Sequence, residues 1–194
     1  MAHSQVKIVN LAYAAIGEGA ITSISGTDAK SILAAQVWDD ILEEVLSEHD
    51  WNFAKKRVAL AQDATAPTGE EWKYRYAVPS DYVKARGIEP AKTPYVVEAG
   101  YVLTNYDNTD GDDLVLLYTR LETNPAMFSA AFISCLSFRL AAQFAFKQVR
   151  GSSNTQDRMF ALYDRALIKA KGVNQSEDYV EDEKGSTSWV RAGR

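Results

Sequence analysis

The chain has 194 residues, 46% hydrophobic, 24% charged and 11% aromatic, which suits one ordinary domain with a real core and excludes disorder as an overall description. Nowhere do about 18 apolar residues run together, so no membrane span is expected, and residues 1–7 lack the basic start and apolar run of a secretory signal. The net charge of −5, from 26 acidic against 21 basic side chains, argues against a protein that grips nucleic acid by displacing counterions from phosphates.

The first helical pattern covers residues 4–16, with Ile8, Leu11, Ala12, Ala15 and Ile16 as its apolar stripe, and Gly17 and Gly19 stop it. Ser25 and Asp28 have the spacing of a capping box and open a second helix. In that helix Ala34, Val37, Trp38, Ile41, Leu42, Val45 and Leu46 share one face, Asp39, Asp40, Glu43, Glu44 and Glu48 take the others, and the pattern ends near His49. The period then changes. Strands are expected at 57–61, 72–76, 82–88 and 114–121, and a two-residue turn at Ala99-Gly100 joins 95–98 to 101–104 as a hairpin.

Helical spacing returns at Asn124-Pro125, where proline fits a first helical position. A largely apolar helix over 126–149 carries Phe128, Phe132, Ile133, Leu136, Phe138, Leu140, Phe144 and Phe146. So little polar surface suits a helix central to a bundle or buried between subunits. A last helix covers 155–171, with Met159, Tyr163, Ala166, Leu167 and Ala170 as its stripe. The expected fold class is α+β: a four-helix bundle from helical hairpins 1–56 and 123–172, an inserted antiparallel β lobe over 57–122, and an extended tail over 173–194.

Residues that do chemistry are sparse. Two histidines, His3 and His49, and one cysteine leave no His/Cys metal site, and no cofactor is expected. His49 stands at a helix C-terminus, where a cationic ring suits the dipole. Cys135, with no partner for an internal disulfide, reads as a reduced core thiol in a protein made in a reducing cytoplasm. Gly17-Glu18-Gly19 lacks the preceding strand and third glycine of a phosphate loop. We read Asp40, Glu43, Glu44 and Glu48 as a solvated helix face; the alternative is a carboxylate pair of a tail-associated glycan (cell-wall) hydrolase. Asp107, Asp110, Asp112 and Asp113 read as an acidic turn, without the glutamate that would complete a calcium loop. Trp72, Lys73, Tyr74, Arg75 and Tyr76 have the composition of a single-strand nucleic-acid platform but read first as core packing.

One set of blocks is more specific than its chemistry. Asp28-Ala29-Lys30, Trp38-Asp39-Asp40-Ile41-Leu42 and Leu46-Ser47-Glu48-His49-Asp50-Trp51-Asn52-Phe53-Ala54-Lys55-Lys56-Arg57 resemble the tail tubular protein A family, the head-to-tail adaptors of short-tailed bacteriophages. Tyr74-Arg75-Tyr76-Ala77-Val78-Pro79-Ser80-Asp81-Tyr82 is similar to that family's Tyr-x-Leu-Pro-x-Asp turn. Looser matches follow at 95–105, at 114–118 and from Pro125 and Phe128 through Leu140-Ala141-Ala142, so the ordered set covers about residues 5–170. Asp50 stands where the family usually has proline, and Val78 where leucine is usual.

The resemblance implies a structural virion protein and not an enzyme. It would form a ring of about twelve copies at the head–tail junction, between the portal protein and a tail nozzle like tail tubular protein B, with double-stranded DNA passing through its centre without specific binding. No membrane partner is implied. Within that frame Trp51, Asn52, Phe53 and Ala54 form a motif where a helix meets the β lobe, with Trp51 and Phe53 clamping the two together. Lys55, Lys56 and Arg57 are the one concentrated basic cluster, either a solvated edge or a contact to an acidic partner. Tyr179, Val180, Trp189 and Val190 are the apolar anchors of a tail that is either a portal-docking arm or a disordered terminus.

Overall fold

The computed structural model describes residues 3–108, 113–148 and 153–177. Four helices, α1 (Gln5–Ala15), α2 (Ala29–Ser47), α3 (Ala130–Gln148) and α4 (Ser153–Ser176), stand with six strands in a mixed α+β arrangement. The strands are β1 (Lys55–Ala59), β2 (Tyr74–Ala77), β3 (Tyr82–Glu89), β4 (Tyr95–Glu98), β5 (Tyr101–Thr104) and β6 (Val115–Arg120). They form two antiparallel three-stranded sheets, ordered β1-β6-β3 and β2-β5-β4.

All four helices contribute to one apolar core, and α3 packs against each of the other three. Its Phe132, Leu136, Leu140 and Phe144 are fully buried, as is Tyr13 of α1, whose ring stacks on Phe144 with centroids 4.3 Å apart. A second, smaller core lies between the sheets and joins Tyr76 and Val102 to Ile88, Leu116 and Tyr118. The β4–β5 connection is the expected two-residue turn: Ala99 and Gly100 have φ of 48° and 81°, the paired positive values that match hairpin twist. Tyr82 to Glu89 pairs with β6 through two register irregularities, at Tyr82/Lys84 and Ala85/Gly87.

Several local expectations are corrected. The buried face of α1 is Ile8, Val9, Ala12 and Tyr13, and Leu11 is 46% exposed. The aromatic ring of Tyr13 has its own place against α3, which rotates the helix away from the stripe counted from aliphatic residues alone. Asp28 is itself the N-cap of α2, its Oδ1 accepting from the Lys30 and Ser31 amides at 3.1 Å, so Ser25 stands outside the cap. Strand β1 begins at Lys55, before the expected 57. Strand β2 begins at Tyr74, and Trp72 precedes it. Asn124-Pro125 opens a single 3-10 turn, Pro125–Met127, and the regular helix starts only at Ala130, where Ser129 Oγ accepts from the Phe132 amide at 3.2 Å. Phe146 is 67% exposed, although its apolar neighbours in sequence are inside.

The largest difference is at the far end of α4, which runs through Gly172 to Ser176. Glycine weakens a helix interior by about 1 kcal/mol relative to alanine. Here that cost is offset by the hydrogen bonds of Asn174, two residues further on. Residues 173–176 are therefore helical, and the rest of the expected tail, from 178, lies outside the described residues.

Truncating Phe144 to alanine is expected to cost about 3–5 kcal/mol, as for other buried aromatic side chains. Phe146→Ala is expected to stay within about 0.5 kcal/mol, as for exposed positions. Urea titration of the two variants checks the contrast, and equal costs would contradict the orientation given to α3.

Candidate functional site

Helix α2 ends at Ser47, and the chain must turn from it into β1 within seven residues of backbone, 48–54. The turn is fixed by Trp51. Its side chain is completely buried, and its indole Nε1 donates to the Val45 carbonyl at 2.9 Å, one of the acceptors that a helix leaves unpaired at its C-terminus. The ring meets Phe132 edge-on with centroids 5.0 Å apart. Phe53 follows at 4.9 Å from Phe132 and 5.6 Å from Phe128, and Ala54 is buried beneath them.

Both rings therefore pack on Phe132 near the start of α3, a partner the expected clamp did not name, and Val83 of β3 lies against the same apolar core. Aromatic rings gain from buried area and edge-on contact, and Phe132 supplies both to Trp51 and Phe53. Polar groups also attach the β side. Arg86 of β3 donates from Nη2 to the Trp51 carbonyl at 2.6 Å and from Nε to Thr119 Oγ1 at 2.9 Å. Lys84, also of β3, pairs with Asp50 at 3.2 Å.

Asn52 makes the longest-range link. Its amide N–H donates to Asn174 Oδ1 at 2.8 Å, and its side-chain Nδ2 donates to the Asn174 carbonyl at 3.1 Å. Asn174, only 7% exposed, returns its own Nδ2 to the Asp50 carbonyl at 3.1 Å and lies 3.2 Å from His49 Nε2. All three contacts require one orientation of the Asn174 amide, with an unprotonated Nε2 as the acceptor. Burial, and then the positive charge of Lys171, hold His49 below its ordinary value, so the neutral ring is favoured and the cationic reading is corrected.

The basic run does not converge into a patch. On a strand, Lys56 points away from Lys55 and Arg57. Lys56 Nζ pairs with Asp81 Oδ2 at 2.7 Å, Asp81 Oδ1 accepts the Tyr118 hydroxyl at 2.7 Å, and Arg57 approaches Glu89 at 3.6 Å. Burial pushes the Asp81 carboxyl up, but hydrogen bonds from Lys56 and Tyr118 outweigh it and hold the group below the usual carboxylate value. The acidic neighbours of Lys56 and Arg57 thus belong to this same chain, while Lys55 is exposed on the edge strand.

The remaining candidates are taken up structurally. Asp39, Asp40 and Glu43 are exposed on α2 and Glu48 is exposed at its C-cap, while Glu44 accepts from Arg139 Nε and Nη2, each at 2.8 Å. Tyr76 is buried, Arg75 pairs with Asp63 at 3.2 Å and lies over the Tyr101 ring, and Tyr74 donates to Asp107 at 2.9 Å. Among the described residues no group of three His, Cys, Asp or Glu side chains could hold a metal; Asp110 and Asp112 lie outside them. Burial pushes the Cys135 thiol up to about 12. Tyr179, Val180, Trp189 and Val190 lie outside the described residues. Sequence reading missed Asn174 and Arg86. A polar residue two positions past Gly172 and an arginine between Ala85 and Gly87 were the available signals, and neither names its partner.

The chain matches no protein-family model and no curated protein. No helix among the described residues is long and apolar enough to cross a membrane.

Two outcomes test the junction. Asn174→Ala leaves the Asn52 amide without its acceptor and is expected to lower stability by about 1–3 kcal/mol in urea titration. A neutral His49 in the fold means that the unfolded chain takes up the extra proton as pH falls through 6.5, so stability drops on acidification and is fully present above that value. Urea midpoints at neutral and mildly acidic pH should diverge more for the unmodified protein than for His49→Gln, and parallel slopes would refute the assignment.

Proposed function

We propose that this chain is the adaptor subunit between the portal and the tail nozzle of a short-tailed bacteriophage. The resemblance carries the reading, and one observation supports it: its separate blocks meet in space. Lys56 from the first block, Asp81 from the second and Tyr118 from the third form one hydrogen-bonded cluster, with both Asp81 contacts at 2.7 Å. Phe53 of the first block packs on Phe128 of the third. Residues that are distant in sequence but jointly resemble a family are expected to touch when they specify a shared scaffold.

On this reading the four helices form a bundle with the β lobe inserted between its second and third members. About twelve copies ring the channel under the portal, the nozzle binds below, and the protein is a virion component without catalysis or cofactor. The tail beginning at 178, with Tyr179, Val180, Trp189 and Val190, supplies a docking arm to the portal. The exposed acids Asp39, Asp40 and Glu43 suit a structure that DNA passes through, because like charge keeps phosphate from adhering. Lys55 remains available to an acidic partner.

The test is to mix the protein with the cognate purified portal ring and read mass by native mass spectrometry. Addition of one copy per portal subunit is expected. If the two ignore each other at micromolar concentration, the adaptor reading fails.

A further inference from the structure

Helices α3 and α4 leave between them an open groove of about 740 Å³. Its floor is apolar, from Phe138, Leu162, Ala166 and Val173, and Arg165 and Lys169 stand along one wall, one helical turn apart. Among the described residues neither cation pairs with an acid. A groove with apolar floor and unpaired positive wall fits an acidic peptide that carries aromatic or aliphatic anchors.

Such a peptide begins where the groove ends. Glu177 is both a lining residue and the last described residue before that segment, one position past the end of α4. The sequence continues Asp178-Tyr179-Val180-Glu181-Asp182-Glu183, two apolar anchors among four acids. From Glu177 back to Leu162 is roughly 22 Å of helix. Residues 178–194 reach ~50 Å when extended, enough to reverse and traverse the groove. Tethering at the rim also gives the segment a high effective concentration there.

We propose that the α3–α4 groove binds the C-terminal segment 178–194 of its own chain, Arg165 and Lys169 facing the acids and the apolar floor taking Tyr179 and Val180. This inference stands independently of the adaptor reading. If that reading also holds, the segment must leave the groove before it can serve as an arm to a neighbour.

The test uses the full chain. Cys135 is buried with its thiol pushed up to about 12, so a cysteine introduced by Ser186→Cys is the one that reacts with a nitroxide label. In the isotope-labelled protein the amides of Ser134, Leu162 and Ala166 should lose most of their intensity relative to the reduced label, while Val96 on the β4–β5 hairpin keeps its own. Arg165→Glu combined with Lys169→Glu, both on the exposed side of α4 or its margin, should restore the groove signals. Equal broadening at the groove and at Val96, or broadening unchanged by the double substitution, overturns the proposal. So does broadening that appears when spin-labelled chains are mixed with isotope-labelled chains carrying no spin label, because the occupant is then a second copy's segment.

Discussion

The arrangement depends on burying one indole at the point where a helix gives way to a strand. Trp51 must enter the helical core, and its N–H must find an acceptor there. The Val45 carbonyl provides it at 2.9 Å from within the last turn of α2. With the ring fixed against Phe132 and the carbonyl held by Arg86, the direction in which the chain leaves α2 is set. Everything after it, from β1 onward, inherits that direction. A buried polar group left unpaired costs about as much as a lost core contact, so position and pairing are enforced together.

The same short segment also governs the other end of the chain. Asn52 and Asn174 exchange two hydrogen bonds across 122 residues, and Asn174 reaches back to the Asp50 carbonyl. The final turn of α4 is thereby held beyond Gly172, and the point from which the last segment departs is defined. Helix termini fray readily when nothing holds them; this one is tied to the junction. A contact that sets where α4 stops also sets which residues line the groove beside α3.

Charge is distributed with the same economy. The basic run after the junction is divided by strand alternation, and two of its three cations find acids on β3 or the turn before it. The acids of α2 face solvent, Glu44 at the same time gripping Arg139, and Glu48 just past the helix approaches Lys171 at 3.8 Å. On the adaptor reading these features describe a scaffold that holds its shape with internal pairs and presents little that would bind DNA.

Much of the secondary structure was legible because local periodicity and turn chemistry dictate it. The α2 face from Ala34 to Leu46, the Ala99-Gly100 hairpin and the apolar run of α3 each follow from spacing or positive-φ preference alone. So was the importance of the stretch around Trp51, though not what its rings touch. Periodicity reports which face of an element is apolar, and it is silent on which neighbour covers that face. Hence the rotation of α1 by Tyr13, the packing of Trp51 and Phe53 on α3, the separation of Lys56 from Lys55 and Arg57, and the meeting of Asn52 with Asn174 were decided only by the tertiary structure. Each is a contact between residues far apart in the chain, where no local spacing rule operates and only the closing of the core brings the partners together.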